Sequence, residues 1–347
     1  MSPHQSPQLA DGYLPERYVV VGAGAVGVTL AVELHGAGRQ VVLIARGSQL
    51  EHARAGTLRY IRPEGEETVD ASIAAPIGEL VLRSGDVLVL ATKSQDSERT
   101  LADLAGVPAR APLGSARDVP VLTLQNGLDS ERSALRRFAT VLAGVLWLPS
   151  SYTRPGEVVS PGDPAVGTVW LGGYRDGDGA LANRVAADLR AASFEAQAVA
   201  DIARWKAAKL VVAAGFGLDA LYPPSALRDA ARRLIEDEAR AVLAAAGWGI
   251  ADFRTESTIP LERSAAADIP DHPRGGSSTW QSLHTGRSLE TDFLNGEIVL
   301  QARLNGLDAP ANEALQARLA RARAEGTPAA SLDEDDLLQT VQALSLA

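Results

Sequence analysis

The 347-residue sequence contains no cysteine, which excludes disulfides, thiolate zinc sites and a cysteine nucleophile. Its five histidines show no metal-ligand spacing, so no metal is expected. There is no apolar run of about eighteen residues or more and no secretory leader pattern, which predicts a soluble, cytoplasmic protein that does not act at a membrane. The net charge of -10 comes without a basic stripe, which argues against nucleic acid as a partner.

Lysine is scarce as well: only three of the 33 basic residues are lysines, at positions 93, 206 and 209. A bias toward arginine codons explains the scarcity, but it makes each remaining lysine informative. Lysine, unlike arginine, can give up its proton near neutral pH when it is desolvated, and it presents a compact point charge. Chemistry can use both properties.

The composition, 46% hydrophobic and 22% charged, is ordinary for a globular chain. A length of 347 residues suffices for two domains. After a polar segment, 1–16, which we expect to be a disordered leader, buried strands alternate with helices over 17–200. This alternation predicts an α/β fold with a doubly wound Rossmann sheet. Predicted parallel strands lie at 18–21, 41–45, 87–91 and 119–124, and strands between 140 and 172 are expected to close the sheet in antiparallel fashion.

Long helical segments dominate beyond Asp201, and they predict an all-helical domain over 201–326, followed by a C-terminal tail, 327–347. The predicted helical segments are 201–222, 224–246, 278–288 and 309–324. The apolar content of this domain is compatible with a homodimer.

A glycine-rich turn lies between the first strand and the first helix, at Gly22, Gly24, Ala25, Val26 and Gly27. The first glycine allows a tight turn, the second lets the backbone approach a pyrophosphate, and the third lets the helix pack closely on the strand. The helix N-terminus supplies amide donors to the anion. The pattern predicts a dinucleotide site, and its alternative is a glycine-rich turn without a ligand.

Cofactor choice depends on the residue that follows the second strand, where NAD enzymes usually have a carboxylate. Arg46 stands there, and it complements a 2′-phosphate, so the sequence favours NADPH. The alternative is a solvated surface arginine. Lys93, Ser94 and Asn126 follow two later strands, and the carboxyl ends of parallel strands share one edge, so they are predicted cofactor and site residues. For Asn126 with the glycine after it, the alternative is a plain turn.

Seven segments carry a family resemblance: VVVGAGAVG at 19–27, IAR at 44–46, ATKSQD at 91–96, LQNGL at 124–128, WKAAKL at 205–210, SSTWQSL at 277–283 and LETDFLNGEI at 289–298. With them, the chain resembles the ketopantoate reductase family. The resemblance implies NADPH-dependent reduction of a 2-oxo acid, a small-molecule substrate held between the two domains, and a helical domain like that of 6-phosphogluconate dehydrogenase.

By this resemblance, Lys209 is the catalytic acid, Glu290 contacts the substrate oxygen and the lysine, and Ser278 binds the substrate carboxylate. An ammonium can stabilise and then protonate the oxygen of a ketone that receives a hydride. The alternative for Lys209 is a structural lysine at an interface of its helix. Ser278 could instead cap a helix that begins near Thr279, and Lys206 is expected to face solvent.

The chain departs from the family where asparagines usually stand four and eight residues after the lysine. Ala213 and Gly217 occupy these positions, which predicts a small, apolar wall and a substrate that is bulkier or less polar than ketopantoate. Two alternatives keep the fold: an imine reductase or 2-hydroxy acid dehydrogenase, and a non-catalytic NADPH-binding sensor.

Overall fold

The structure, a computed structural model, describes residues 13–174, 179–273 and 275–345. Most of the predicted leader therefore lies outside the described residues. The described chain divides into two compact units. Unit 1 contains the residues up to Gln125, then Asp129–Ile202 and Ser257–Pro273, and unit 2 contains Asn126–Leu128, Ala203–Glu256 and the residues from 275 onward.

The strands are β1 (Arg17–Val21), β2 (Gln40–Ile44), β3 (Arg59–Arg62), β4 (Gly65–Thr68), β5 (Ala74–Ala75), β6 (Asp86–Leu90), β7 (Val121–Thr123), β8 (Val141–Trp147), β9 (Ser151–Arg154), β10 (Glu157–Val159), β11 (Gly162–Pro164), β12 (Thr168–Gly173), β13 (Glu195–Ala198) and β14 (Ser264–Ala266). The helices of unit 1 are α1 (Ala25–Gly36), α2 (Gly47–Arg54), α3 (Ser94–Ala105), α4 (Ser130–Leu135) and α5 (Gly179–Ala191). Those of unit 2 are α6 (Ile202–Ala214), α7 (Phe216–Leu221), α8 (Ala226–Ala245), α9 (Ser278–His284), α10 (Asn295–Leu304), α11 (Pro310–Glu325) and α12 (Glu334–Ser345).

The main sheet has the order β13-β12-β8-β7-β6-β1-β2-β5. The six neighbouring strands β5, β2, β1, β6, β7 and β8 are parallel. The direction in which strands are added reverses between β1 and β6, as in a Rossmann sheet. β12 pairs with β8 in antiparallel fashion, which confirms the predicted closure, and β13 adds a further strand parallel to β12. The doubly wound α/β fold is therefore confirmed.

Uninterrupted apolar runs explain why the central strands form where they do. All five residues of β6 are buried, as are four of five in β1, because helices cover both faces of a parallel sheet. Helix α1 contacts α5, and α3 contacts α4. α1 is buried along most of its length through residues such as Val28 and Leu34. The glycine turn thus lies at the start of a helix that is fixed in the core.

A smaller sheet with the order β4-β3-β10-β9, and a two-stranded pair of β11 with β14, were not predicted. Their strands are three or four residues long, and β4 is exposed at every residue, so it carries no hydrophobic alternation. β14 belongs to the segment Ser257–Pro273, which returns to unit 1 after three helices of unit 2.

Unit 2 is helical, as predicted, around a core contributed by α6, α7, α8, α10 and α11. The predicted segment 201–222 is two helices, since α6 ends at Ala214 and α7 begins at Phe216. Helix α10 was not predicted. None of the helices in the described part of the chain is long and apolar enough to cross a membrane.

Candidate active site

The three glycines of the turn after β1 differ in their surroundings, and these surroundings agree with the separate roles expected of a tight turn, a ligand approach and close packing. Gly22 has φ +114°, which side chains rarely adopt, and a Cβ there would lie 3.0 Å from the backbone of Ala91 and Thr92. A Cβ on Gly27 would overlap the carbonyl oxygen of Gly22. Around Gly24, in contrast, a Cβ would meet nothing within 4 Å, so the backbone is open to a ligand on this side.

The start of α1 is suited to an anion. Gly24 is its N-cap and makes no side-chain capping hydrogen bond, and the first turn, with the half-buried Ala25 and Val26, contains no acidic residue. The amides of a helix N-terminus that no side chain caps favour a negatively charged group. The residues present therefore fit the pyrophosphate of a dinucleotide.

The loop after β6 lies against this turn. The side-chain amide of Gln125 donates to the carbonyl oxygens of Leu90 at 2.7 Å and Thr92 at 2.9 Å, so it fixes the end of β6 to the end of β7. Lys93, half-buried, is the N-cap of α3, and Ser94, buried, is the first residue of that helix. The sequence placed Gln125 in a loop of expected site residues after β7, and the structure shows in addition that it bridges the two strand ends.

Arg46 follows β2, is the N-cap of α2, and leaves 82% of its side chain exposed, with the Asp96 carboxylate 3.7 Å away. This position agrees both with a 2′-phosphate ligand and with a surface arginine. Gln49, one turn further on, donates to the carbonyl oxygen of Ala23 at 2.6 Å and thereby ties α2 to the glycine turn. No sequence signal singled out Gln49.

Two buried polar atoms beside the glycine turn have no hydrogen-bond partner among the described residues: Oε1 of Gln49 and Oγ1 of Thr92. Burying a polar atom without a partner is costly, and such atoms in a native structure need an explanation. A polar ligand at this edge of the sheet supplies one, because ribose hydroxyls can donate to Oε1 and phosphate oxygens can accept from a hydroxyl. Both atoms therefore add to the fit of a dinucleotide.

In unit 2, Lys209 is buried in α6, with 7% of its surface exposed. Burial, and then the charge of Lys206, lower the pKa of its amine from 10.5 to about 8. The ring of Phe216, at the start of α7, has its centroid 5.4 Å from Nζ of Lys209, within range of a cation–π interaction. The lysine is thus placed to hold a proton that it can release near neutral pH.

The prediction that Lys206 faces solvent is wrong, because only 2% of its surface is exposed. The prediction assumed that one face of α6 is exposed to solvent. Ala207, Leu210 and Val211, on different sides of this helix, are however all buried in the core of unit 2. A helix that is buried on every side offers its polar residues no exposed stripe.

Ser277, and not Ser278, is the N-cap of α9: its Oγ accepts from the backbone amide of Trp280 at 3.3 Å. The capping role considered for Ser278 therefore belongs to its neighbour. Ser277 also donates to the carbonyl oxygen of Phe216 at 3.1 Å, and its amide donates to the Asp219 carboxylate at 3.1 Å. The start of α9, with the half-buried Ser278, is thereby fixed beside the residue whose ring lies over Lys209.

Residues that follow Asn126 and Glu290 in the sequence, Gly127 and Phe293, approach each other closely. Gly127 has φ +95°, and a Cβ there would lie 2.5 Å from the carbonyl oxygen of Phe293. Phe293 ends a short 3-10 helix, Thr291–Phe293, of which Glu290 is the N-cap. Both Asn126 and Glu290 are half-buried. The NG dipeptide is therefore more than a surface turn, since its glycine allows a close approach of two backbones.

Ala213 and Gly217, the predicted apolar wall, are buried in the packing of unit 2. Ala213 is fully buried in the core of unit 2, and a Cβ on Gly217 would overlap Leu319 of α11 and press on Leu315. A turn of the chain at Gly215 also separates them onto α6 and α7, so they do not form one continuous helical stripe. Gly217 is explained by helix packing, and a substrate contact at this residue has no support in the structure.

The candidate residues thus form two groups. The glycine turn, Arg46, Lys93 and Ser94 belong to unit 1, while Lys209, Ser278, Glu290 and Asn126 belong to unit 2.

Comparison with known proteins covers both units. The family model described as "Ketopantoate reductase PanE/ApbA" matches residues 18–176, and the model described as "Ketopantoate reductase PanE/ApbA C terminal" matches residues 201–323. The chain is 28% identical over 313 residues to the 2-dehydropantoate 2-reductase of Archaeoglobus fulgidus, which spans 86% of this chain and 95% of that protein.

Two solved structures share the fold. A PanE/ApbA family ketopantoate reductase from Ralstonia eutropha JMP134 is similar with a TM-score of 0.70 and 24% identity, covering 89% of this chain and 99% of that one. A ternary complex of D-mandelate dehydrogenase with NADH and anilino(oxo)acetate is similar with a TM-score of 0.73 and 20% identity, covering 90% and 99%.

Proposed function

The chain belongs to the ketopantoate reductase PanE/ApbA family, and on that premise we propose that it is an NADPH-dependent reductase of apolar 2-oxo acids. The observation that carries the proposal is Lys209, a buried amine whose pKa is lowered to about 8. A general acid works best when its pKa lies near the working pH. Burying an amine is costly, and in our proposal this cost produces the lowered pKa that a proton donor requires.

NADPH, when bound, supplies the hydride that reduces the carbonyl carbon. The residues that would hold it are Gly22, Gly24 and Gly27, the N-terminus of α1, and Arg46 as partner of the 2′-phosphate. Arg46 supports NADPH over NADH because its guanidinium is exposed and no carboxylate takes its position at the end of β2. Lys93 and Ser94, at the start of α3, complete the proposed cofactor set.

Lys209 performs the protonation. As the carbon of the substrate carbonyl gains a bond to hydrogen, the electron pair of the C=O π bond moves to the oxygen. The ammonium of Lys209 stabilises that negative charge and transfers a proton to it, which leaves a 2-hydroxy acid and a neutral amine. In our proposal Glu290 orients the lysine and the substrate oxygen, Ser278 donates to the substrate carboxylate, and Asn126 contributes an amide.

Lys209 can also serve the reverse reaction, the oxidation of a 2-hydroxy acid. Because the pKa of Lys209 is about 8, its amine is largely neutral at pH 9 and can accept the proton of a 2-hydroxy acid. We therefore expect reduction to be favoured at neutral pH and oxidation of the hydroxy acid at alkaline pH.

The proposed substrates carry an apolar group at C3. The support is the half-buried Phe216 ring beside the Lys209 amine, which places an apolar surface near the proposed acid. An apolar surface near the acid binds an aromatic or branched chain and leaves a substrate hydroxyl without a partner. D-mandelate dehydrogenase, a structural neighbour, was solved with anilino(oxo)acetate, a 2-oxo compound that carries an aromatic ring.

Steady-state rates of NADPH oxidation over a panel of 2-oxo acids test the proposal. The panel contains pyruvate, 3-methyl-2-oxobutanoate, phenylglyoxylate and ketopantoate, each with wild type, Lys209→Met and Lys209→Arg. We expect turnover that is fastest with the apolar acids and a loss of about 100-fold to 10,000-fold in both variants. NADPH binding without turnover of any compound would instead favour the sensor, and a preference for ketopantoate would remove the substrate assignment.

A further inference from the structure

Two of the three lysines of the chain lie one helical turn apart in α6, and both are buried: 2% of Lys206 and 7% of Lys209 is exposed. Residues three apart on a helix have their Cβ atoms about 5–6 Å apart. Arginine supplies nearly all other basic side chains of the chain. Two neighbouring buried amines in an arginine-rich chain are therefore a specific feature of this helix.

We infer that Lys206 is a positioning residue for Lys209, whose buried positive charge, one helical turn away, makes Lys209 the stronger proton donor. The inference rests on the proposed function, in which Lys209 protonates the substrate oxygen. It gives Lys206 a role in the reaction although it need not touch the substrate.

The physical basis is repulsion between like charges in a medium that screens them poorly. Burial disfavours the ammonium of Lys209, and the nearby charge of Lys206 disfavours it further, so both lower its pKa. Water and salt weaken such an effect at the surface, but much less between buried groups. A lowered pKa makes the ammonium a better acid at the pH at which it must donate.

Unit 2 contains other groups that a test of Lys206 has to take into account. The Phe216 ring, 5.4 Å from Nζ, acts in the opposite direction because a cation–π interaction favours the ammonium. Glu297 of α10 is buried and accepts from the amide of Gln301 at 2.8 Å, and Glu290 is half-buried. A test of Lys206 must therefore be separated from the effects of these carboxylates.

The scarcity of lysine makes the measurement direct. Growth on lysine labelled with ¹³C at Cε gives three side-chain signals, which substitutions at 93, 206 and 209 assign one by one. Titration of the Lys209 signal without cofactor or substrate reports its protonation in wild type and in Lys206→Met, Lys206→Gln and Lys206→Arg. Glu297→Gln and Glu290→Gln are titrated in parallel.

We expect the midpoint of Lys209 to rise by about one pH unit in Lys206→Met and Lys206→Gln, because the repelling charge is gone, and to stay near wild type in Lys206→Arg. The basic limb of kcat/KM against pH should move in the same direction. A midpoint that moves by less than about 0.3 unit in both neutral variants, or equally in the arginine variant, would overturn the inference.

Removing a carboxylate disfavours the ammonium, so any change in Glu297→Gln or Glu290→Gln should lower the midpoint of Lys209. A rise in either variant as large as that in the neutral Lys206 variants would overturn the inference, because loss of a positive charge would then not be its cause. Two neutral variants are used so that one that fails to fold does not end the test. The titration needs no turnover, so it separates failure of this inference from failure of the proposed reductase activity. Lack of turnover in wild type with an intact Lys206 effect would remove only the proposed function.

Discussion

The backbone of Gly127 lies so close to Phe293 that a Cβ at position 127 would come within 2.5 Å of the Phe293 carbonyl oxygen. This approach joins a three-residue segment, Asn126–Leu128, to the part of unit 2 that carries Glu290. Two proposed site residues therefore lie in segments that meet at a backbone approach only a glycine allows.

Replacing that glycine should destabilise the protein. In Gly127→Ala, the methyl group meets the oxygen and the backbone must hold φ +95°, so we expect the free energy of unfolding to fall by about 2–4 kcal/mol. Urea denaturation followed by circular dichroism measures the change. Gly36→Ala is the matched control, since a Cβ there meets nothing within 4 Å; an equal loss in both variants would contradict the explanation.

Removing the guanidinium after β2 should change cofactor preference. For Arg46→Ala, we expect the KM for NADPH to rise by about 10-fold to 100-fold, because a charge-assisted contact with the 2′-phosphate is lost, while the KM for NADH changes little. Kinetics with both cofactors at a saturating 2-oxo acid measure this. Arg54→Ala, a change of a half-exposed arginine at the end of the same helix, should leave both values near wild type. An equal rise of the KM for both cofactors would show that Arg46 does not select the 2′-phosphate.

The proposed acid should lower the stability of the fold at neutral pH. The pKa of Lys209 is about 8 in the folded protein and 10.5 as its ordinary value, so below pH 8 the folded state holds a charge that it disfavours. Lys209→Met should therefore raise the free energy of unfolding at pH 7 by about 3 kcal/mol.

The stability difference between Lys209→Met and wild type should depend on pH. Between pH 8 and 10.5 the folded wild type releases the proton while the unfolded chain keeps it, so wild type gains stability relative to the variant and the difference shrinks. Urea denaturation of both proteins at pH 7, 8.5 and 10 follows the difference. A difference that does not change with pH would show that the variant acts through packing alone.

The ring beside the lysine should favour apolar substrates. In Phe216→Asn, we expect kcat/KM for phenylglyoxylate to fall by about tenfold or more, while that for pyruvate, which has only a methyl group there, changes less. Phe253→Leu is the control, because Phe253 contacts Trp205 in the same unit and has no proposed part in the reaction. Equal losses for both substrates in Phe216→Asn would indicate a general disturbance of Lys209.

The sequence predicted the fold where buried apolar runs are long and punctuated by glycine, as in β1, α1, β2 and β6. It missed β3 and β4, which are four residues long, and β4 is exposed at every residue, so no hydrophobic period marks it. Strands were expected between 140 and 172, where β9 and β10 lie, but their place in a second sheet was not. The proposed site residues were taken from local motifs and from the family resemblance, and their roles stay predictions.

The errors at the site arose from tertiary packing. Lys206 was expected on a solvent-exposed face because α6 was treated as a surface helix. The helices that cover it cannot be inferred from the periodicity of α6 itself. The capping serine of α9 differs by one residue from the alternative considered, since two serines stand side by side. Gly217 was interpreted as part of a wall because the break of the helix at Gly215 has no proline or other strong signal.

The way the chain passes between its two units limits how it can be divided. A fragment cut near residue 200 would take Asn126–Leu128 away from Phe293, and it would leave β11 without β14, its partner strand. Each half would then expose surfaces and backbone groups that only the other part of the sequence satisfies. Separate expression of the two halves is therefore expected to give insoluble fragments, and co-expression is the arrangement under which they can complement each other.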